Sequence, residues 1–183
     1  MGRIVSNFFI SFDGVVEAPN EWHFPYFDDD MGRVMGEGMQ SQRAFLMGRR
    51  LYDEWSEFWP AQGPEVPFSA HINAIPKYVL THRAIEGDLW NGTTVLGQDP
   101  VAELRRLKET SDGDIALSGC ATTVRWLLSQ NLLDELNLLV HPIAVGRGQR
   151  LFEDAPTVPL TLLSSEALAS GVLHTRYAPA TTG

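Results

Sequence analysis

Asp114-Ile115-Ala116-Leu117-Ser118-Gly119-Cys120-Ala121-Thr122-Thr123-Val124-Arg125-Trp126-Leu127-Leu128 reads as a strand that turns through one glycine into a helix. Ile115 to Ser118 is an apolar run of strand length, and Gly119 breaks it. Val124, Leu127 and Leu128 then share one face of a helix over 121–130. Such a turn leaves the first helical N–H groups unpaired and aimed at one spot, where the positive end of the macrodipole adds to them. That arrangement suits a phosphate. A glycine lets a ligand approach the backbone closely, and Thr122 and Thr123 add hydroxyls in the first turn. The alternative is an ordinary strand-to-helix junction that binds nothing.

Working outward, the same alternation recurs. Upstream, Asp99-Pro100 opens the best-signalled helix, with Asp99 at the N-cap, Pro100 at the first helical position, and Val101, Leu104 and Leu107 along one face. Lys77 to Thr81 and Thr94 to Leu96 read as strands. Gly63 to Ala70, in a proline-rich stretch, reads as a loop. Ala44 to Met47 is a short buried strand that Gly48-Arg49-Arg50 turns into a helix near Leu51 to Phe58. Asp28-Asp29-Asp30 precedes Met31, Val34, Met35 and Met39 at helical spacing. Acidic residues at a helix start suit the dipole, so a cap is one reading of the triplet. Ile4 to Ser11 is a β-rich run ending at the turn Phe12-Asp13-Gly14. Downstream, Leu136 to Ile143 is a long apolar strand and Gly146-Arg147-Gly148 a turn. Leu160 to Ser164 and Val172 to Tyr177 read as a closing antiparallel hairpin. Alternating strands and helices imply an α/β fold, a mostly parallel sheet with helices on both faces.

Composition bounds the function classes. The chain has 183 residues, 44% hydrophobic and 20% charged, which fits one soluble domain with a sizeable core. A formal net charge of -9 argues against a nucleic-acid or anionic-membrane surface. One cysteine excludes an internal disulfide and suits a reducing cytoplasm. The N-terminus has no signal-peptide pattern, and no apolar run has membrane-spanning length. No His, Cys, Asp or Glu spacing suggests a metal site.

In parallel sheets ligands bind at the carboxyl ends of strands, near a switch in strand order. Here those ends carry Asp13, Gly48-Arg49-Arg50, Thr81-His82-Arg83 and Gly119-Cys120. One anion-accepting turn and two basic strand ends match a dinucleotide with an extra phosphate, held by backbone N–H groups and by arginines. Taken singly, each basic pair also reads as a solvated surface pair.

These residues resemble a known family. Ile-Ser-Phe-Asp13-Gly14, Phe-Leu-Met47-Gly48-Arg49, Ser118-Gly119, Leu133-Asp134-Glu135-Leu136 and His141-Pro142-Ile-Ala-Val-Gly146-Arg-Gly148-Gln-Arg-Leu-Phe152 follow the order and spacing of the dihydrofolate reductase-like superfamily. The resemblance points to the branch related to the reductase domain of bacterial riboflavin biosynthesis, the bifunctional deaminase-reductase C-terminal domain group. It runs from Arg3 to about Tyr177, so residues 1–183 are expected to form a single reductase domain. A single cysteine cannot supply the thiolate pair of a deaminase zinc motif.

The resemblance implies a sheet of about eight strands that binds NADPH. It implies that Gly119, Cys120, Ala121 and Thr122 lie along the cofactor pyrophosphate, with Gly48, Arg49 and Arg50 facing its phosphates. Thr81, His82 and Arg83 then fall at the adenosine 2′-phosphate, whose physical partner is an arginine. On the substrate side, the resemblance puts Asp13 and the loop from Trp22 to Asp30 beside the nicotinamide and a small heterocycle. It places the family's ring-binding carboxylate position at Phe27 or Asp28. An inward, buried Asp28 with a raised pKa would bind a ring edge and donate a proton; an Asp28 that only caps the helix would not. Arg147 is a candidate for substrate phosphate, or a solvated turn arginine. Relatives of this branch are commonly homodimers, and Asp134-Glu135-Leu136 is a candidate interface segment.

The residues and the resemblance together leave three functions open. An NADPH-dependent reductase of a pteridine- or pyrimidine-like substrate would place Asp13, Asp28 or water as proton source. A non-catalytic nucleotide- or pterin-binding module would keep the pocket without a productive carboxylate. Thiol chemistry at Cys120, at a helix N-terminus, is the third. Against it, a small neutral residue there also suits close backbone approach to phosphate.

Overall fold

Successive residues of a strand face opposite sides of a sheet, and in β1 (Ile4–Ser11), β2 (Gln42–Gly48) and β5 (Asp114–Ser118) both sides are apolar. Ile4, Leu46, Ile115 and Leu117 pack on one side with α4 (Pro100–Thr110) and α5 (Ala121–Ser129), through Leu104, Val124 and Leu127. Phe45, Met47 and Ala116 face the other way, against Leu51 and Tyr52 of α2 (Arg49–Phe58) and Ile72 of α3 (Pro67–Ala74). On that same side Phe9 and Leu139 meet Met31, Val34 and Met35 of α1 (Asp29–Ser41). This is a computed structural model, and it describes residues 1–180; the last three residues of the expected domain lie outside them.

The remaining strands are β3 (Lys77–Leu80), β4 (Thr93–Val95), β6 (Glu135–His141), β7 (Leu160–Ala167) and β8 (Leu173–Pro179). They complete an eight-stranded sheet of order β4-β3-β2-β5-β1-β6-β8-β7. Pairings from β4 through to β6 are parallel; β6–β8 and β8–β7 are antiparallel. The mostly parallel sheet, two helical faces and closing hairpin agree with the sequence reading. Because β5 returns between β2 and β1, the strand order reverses there, and α2 and α5 start beside the reversal.

Corrections are local. The loop expected over Gly63 to Ala70 contains the start of α3, which Pro67 opens at a first helical position. Ile72 is fully buried, and the Ser69 hydroxyl lies within bonding distance of the Trp59 and Gln62 carbonyls. The long strand ends at His141 rather than Ile143, because Pro142 follows and cannot donate to a ladder. Within the chain Glu135 is already engaged: its buried carboxylate accepts from Arg3 at 2.9 Å and from Arg176 at 2.8 and 3.0 Å. With the Arg3–Asp114 pair, charges alternate across β5, β1, β6 and β8 and tie the amino ends of the parallel strands. Asp134 likewise turns inward, accepting from the Ile4 N–H and Lys108.

Candidate functional site

Four longer helices follow strands in this chain, and their amino ends differ. Asp28 caps α1, accepting from the Met31 N–H at 2.9 Å, and Asp99 caps α4, accepting from the Ala102 N–H at 3.0 Å. Gly48 precedes α2 and Cys120 precedes α5, and neither helix has a side-chain cap. Their first N–H groups stay available to an anion.

These two open ends touch. The Gly48 N–H donates to Cys120 Sγ at 3.4 Å. A Cβ at Gly48 would lie 2.9 Å from Thr123 Oγ1 and 3.5 Å from Cys120 Sγ, so only glycine fits between the two turns. Gly119 has φ +68°, a left-handed conformation that favours glycine, and it is exposed. Ala121 is buried in the core, whereas Thr122 is exposed at the start of α5. Burial pushes the Cys120 thiol pKa up, which makes it a space-filling neutral group rather than a thiolate nucleophile.

The end of β3 joins the same place through Arg49. Its Nε donates to Asp53 at 2.7 and 2.9 Å, and its Nη1 donates to the carbonyls of Arg83 and Ala84 at 3.3 and 2.7 Å. Arg50 is exposed and paired with Glu54 at 3.1 Å. The Thr81 hydroxyl accepts from the Arg83 N–H at 3.0 Å, shaping the turn. His82 and Arg83 are exposed, and among the described residues the Arg83 guanidinium has no hydrogen bond or ion pair. Gly48, Arg49, Cys120 and the 81–83 turn therefore form one connected edge.

The substrate-side expectations change. Asp13 is an anchor: its carboxylate accepts from Ser11 Oγ at 2.6 Å, Val145 N–H at 3.0 Å and Gly146 N–H at 2.8 Å. The Ser11 hydroxyl, then those two N–H groups, hold its pKa down to about 2. Arg150 reinforces the junction by donating to the Asp13 carbonyl at 3.0 Å. Asp28 is the cap. Its second oxygen accepts from the Ser170 N–H at 2.9 Å, tying α1 to the β7–β8 connection. The Met31 N–H first, and Ser170 after it, lower its pKa, the opposite of the raised value that a buried proton donor requires. Arg147 is exposed in the turn whose neighbours Asp13 holds. Trp22 is buried and anchors its loop by donating from Nε1 to the Glu17 carbonyl at 3.2 Å.

Sequence reading passed over what surrounds Trp22. His23 lies between Phe9, stacked at 4.5 Å, and Phe24, at 4.2 Å. His141, fully buried, meets Phe9, Trp22, Tyr26 and His23 edge-on. No spacing signal could reveal this cluster, since its two halves lie more than a hundred residues apart. Among the described residues no group of three or more His, Cys, Asp or Glu side chains is arranged to hold a metal ion, and no helix is long and apolar enough to cross a membrane.

Comparison with known proteins bears on the fold and the family. The Bacillus subtilis (strain 168) protein YyaP, itself uncharacterised, is 27% identical over 180 residues, covering 96% of this chain and 94% of its own. A putative riboflavin biosynthesis protein from Shewanella sp. PV-4 superposes with a TM-score of 0.76 at 19% identity, covering 98% of this chain and 99% of that one. Dihydrofolate reductase from Enterococcus faecalis, in complex with NADP(H), superposes at 0.61 with 13% identity over 97% of this chain and 96% of that one. The fold is thus dihydrofolate reductase-like. The RibD C-terminal domain family matches residues 3–174, and the chain belongs to that family.

Proposed function

We propose that this chain is a single-domain, NADPH-dependent reductase that transfers hydride to a small pyrimidine- or pteridine-like heterocycle. The observation that carries the reading is the contact between two uncapped helix starts at the reversal of strand order, with Gly48 closed to any side chain by Thr123. Backbone N–H groups of 120–122 and 49–50 suit the pyrophosphate, and Arg83 with His82 suits a 2′-phosphate. When bound, the nicotinamide supplies the hydride, and the protein supplies orientation and electrostatics.

Arg49 holds the 83–84 backbone against α2 and so positions Arg83. Asp13 fixes the 145–146 turn that carries Arg147 towards the substrate side. Asp28 fixes the start of α1. Both carboxylates stay ionised near neutrality, so the proton that accompanies hydride transfer comes from water. Trp22 shapes the wall of the substrate site. The acidic chain works on a small molecule in a reducing cytoplasm, without nucleic acid or membrane. It pairs as a homodimer, for which the exposed edge strand β7, with Leu162 and Leu163, is the candidate face.

With Asp28 engaged as the cap of α1 and bound to Ser170, the carboxylate that the resemblance would place on a ring edge is already occupied, and this favours a second reading as a nucleotide-binding module without turnover. Following NADPH absorbance with a panel of reducible pteridines and pyrimidines separates the two. Substrate-dependent oxidation supports the reductase. Saturable NADPH binding without turnover across the panel supports the module, and absence of nucleotide binding defeats both.

A further inference from the structure

We propose that the loop between β1 and α1 is fastened by an uncharged His23–His141 pair and is released when either imidazole takes up a proton. His23 sits in this loop between two short 3-10 turns, Pro19–Glu21 and Phe24–Tyr26. It is 7% exposed, and His141, at the end of β6, is 0% exposed. Their ring centroids are 6.2 Å apart.

His141 Nδ1 lies 2.8 Å from the Leu139 carbonyl, so Nδ1 carries the hydrogen and Nε2 is a bare acceptor. Among the described residues that Nε2 and His23 Nδ1 are both buried without a partner. A second proton on either ring would place an uncompensated charge in an aromatic box, beside another imidazole.

Among the described residues no carboxylate forms an ion pair with either ring. β1 contributes Phe9; the loop contributes Trp22, Phe24, Tyr26 and Phe27, of which only the Tyr26 phenol titrates. Met31, Val34 and Met35 come from α1, and Leu168 and Val172 from the β7–β8 connection. The nearby carboxylates are turned to backbone N–H groups: Asp13 to Val145 and Gly146, Glu17 to Gln149, and Asp28 to Met31 and Ser170. Burial lowers the pKa of both imidazoles, and for His23 the neighbouring His141 lowers it further. The sign follows. The fastened loop is favoured fully above the ordinary histidine pKa, about 6.5, and is progressively lost as pH falls below it. At pH 5 a freed imidazole of ordinary pKa favours release by at most roughly thirtyfold per histidine.

The test is amide hydrogen exchange read by mass spectrometry at pH 7.5 and pH 5, corrected for intrinsic exchange rates, with imidazole NMR titration of the same protein. Residues 17–28 are expected to lose protection by up to about thirtyfold per histidine at pH 5 while β1 and β5 keep theirs. His23→Phe preserves the stacking and removes one titrating ring, so its pH response shrinks by that factor. Unchanged wild-type protection of 17–28 at pH 5 overturns the proposal, as does an imidazole titrating near 6.5 with the loop still protected. If the variant does not fold, the wild-type exchange and titration decide alone. Neither readout depends on cofactor or turnover, so failure here is separable from failure of the reductase reading.

Discussion

Replacing Arg83 with alanine tests the cofactor edge most directly. Three arginines stand there, and two are engaged: Arg49 with Asp53 and two backbone carbonyls, Arg50 with Glu54. Arg83 alone has a guanidinium without a partner among the described residues, on a turn that Thr81 shapes. A charge-assisted hydrogen bond to phosphate contributes about 1.5–3 kcal/mol, and solvent exposure reduces this to about 1–2 kcal/mol. At 1.4 kcal/mol per decade, Arg83→Ala should weaken NADPH binding roughly 5- to 30-fold. NADH lacks the 2′-phosphate and should bind as before. Nicotinamide fluorescence titrations of wild type and variant with both cofactors, at low and moderate salt, measure the difference. The NADPH preference should also shrink as salt rises. Equal losses for both cofactors, or no loss for either, would refute the assignment of Arg83 to a phosphate. Arg49→Ala should weaken NADPH binding in the same selective direction, because it frees the 83–84 backbone that positions Arg83.

Gly48→Val puts a branched side chain where Thr123 Oγ1 already lies 2.9 Å from the Cβ position. Overpacking of this kind costs about 1–3 kcal/mol, so thermal melts should shift down by about 3–10 °C, with cofactor binding lost at temperatures where the variant remains folded. Cys120→Ala should keep turnover within about threefold of wild type, since the thiol is buried and neutral; a larger loss in steady-state assays would revive thiol chemistry. Lys77 is fully buried and burial pushes its pKa down to about 8, below the 10.5 of an exposed lysine. The unfolded chain therefore binds the proton more tightly, and stability should rise with pH between about 8 and 10.5. Urea midpoints across that range should lose this limb in Lys77→Met.

How far the fold was legible depends on where a segment's hydrogen-bond and packing partners lie. The strand-glycine-helix unit at 114–129 is local: apolar pattern, breaker and helical face sit within sixteen residues, and it folds as read. The Asp99-Pro100 helix start is equally local. α3 was not legible because Pro64 and Pro67 suggest a loop, while what makes it a helix is distant. Ile72 packs with Phe45 and Val79, and Asn73 joins Trp59 and Trp90. β7 extends past the expected Ser164 to Ala167 through Ser165 and Glu166, because an exposed edge strand needs no apolar run. In the site, Arg49 and Asp53 are four residues apart and readable as a helix pair. The bonds from Arg49 to the carbonyls of residues 83 and 84 are not. Asp13 has the same history: a carboxylate at a strand end suggests chemistry, yet it serves backbone N–H groups 132 and 133 residues away.

The distribution of helix caps connects fold and site. A side-chain cap stabilises a helix by about 1 kcal/mol, and α1 and α4 have one. Neither α2 nor α5 does. At Gly48 the reason is steric, since any side chain would meet Thr123 and Cys120. At Cys120 the sulfur accepts from the Gly48 N–H rather than from a backbone N–H of its own helix, so the thiol closes the seam between the two turns and leaves the amino end of α5 without a side-chain cap. Each open end forgoes a stabilising contact, and both occur where β5 returns between β2 and β1. The capped ends lie elsewhere: α1 is pinned to Ser170 and α4 follows the edge strand β4. Two missing caps at unrelated helices would be incidental. Two missing caps in contact, at the reversal of strand order, concentrate positive dipole ends at one place, where a phosphate would replace the stabilisation that the missing caps would have supplied.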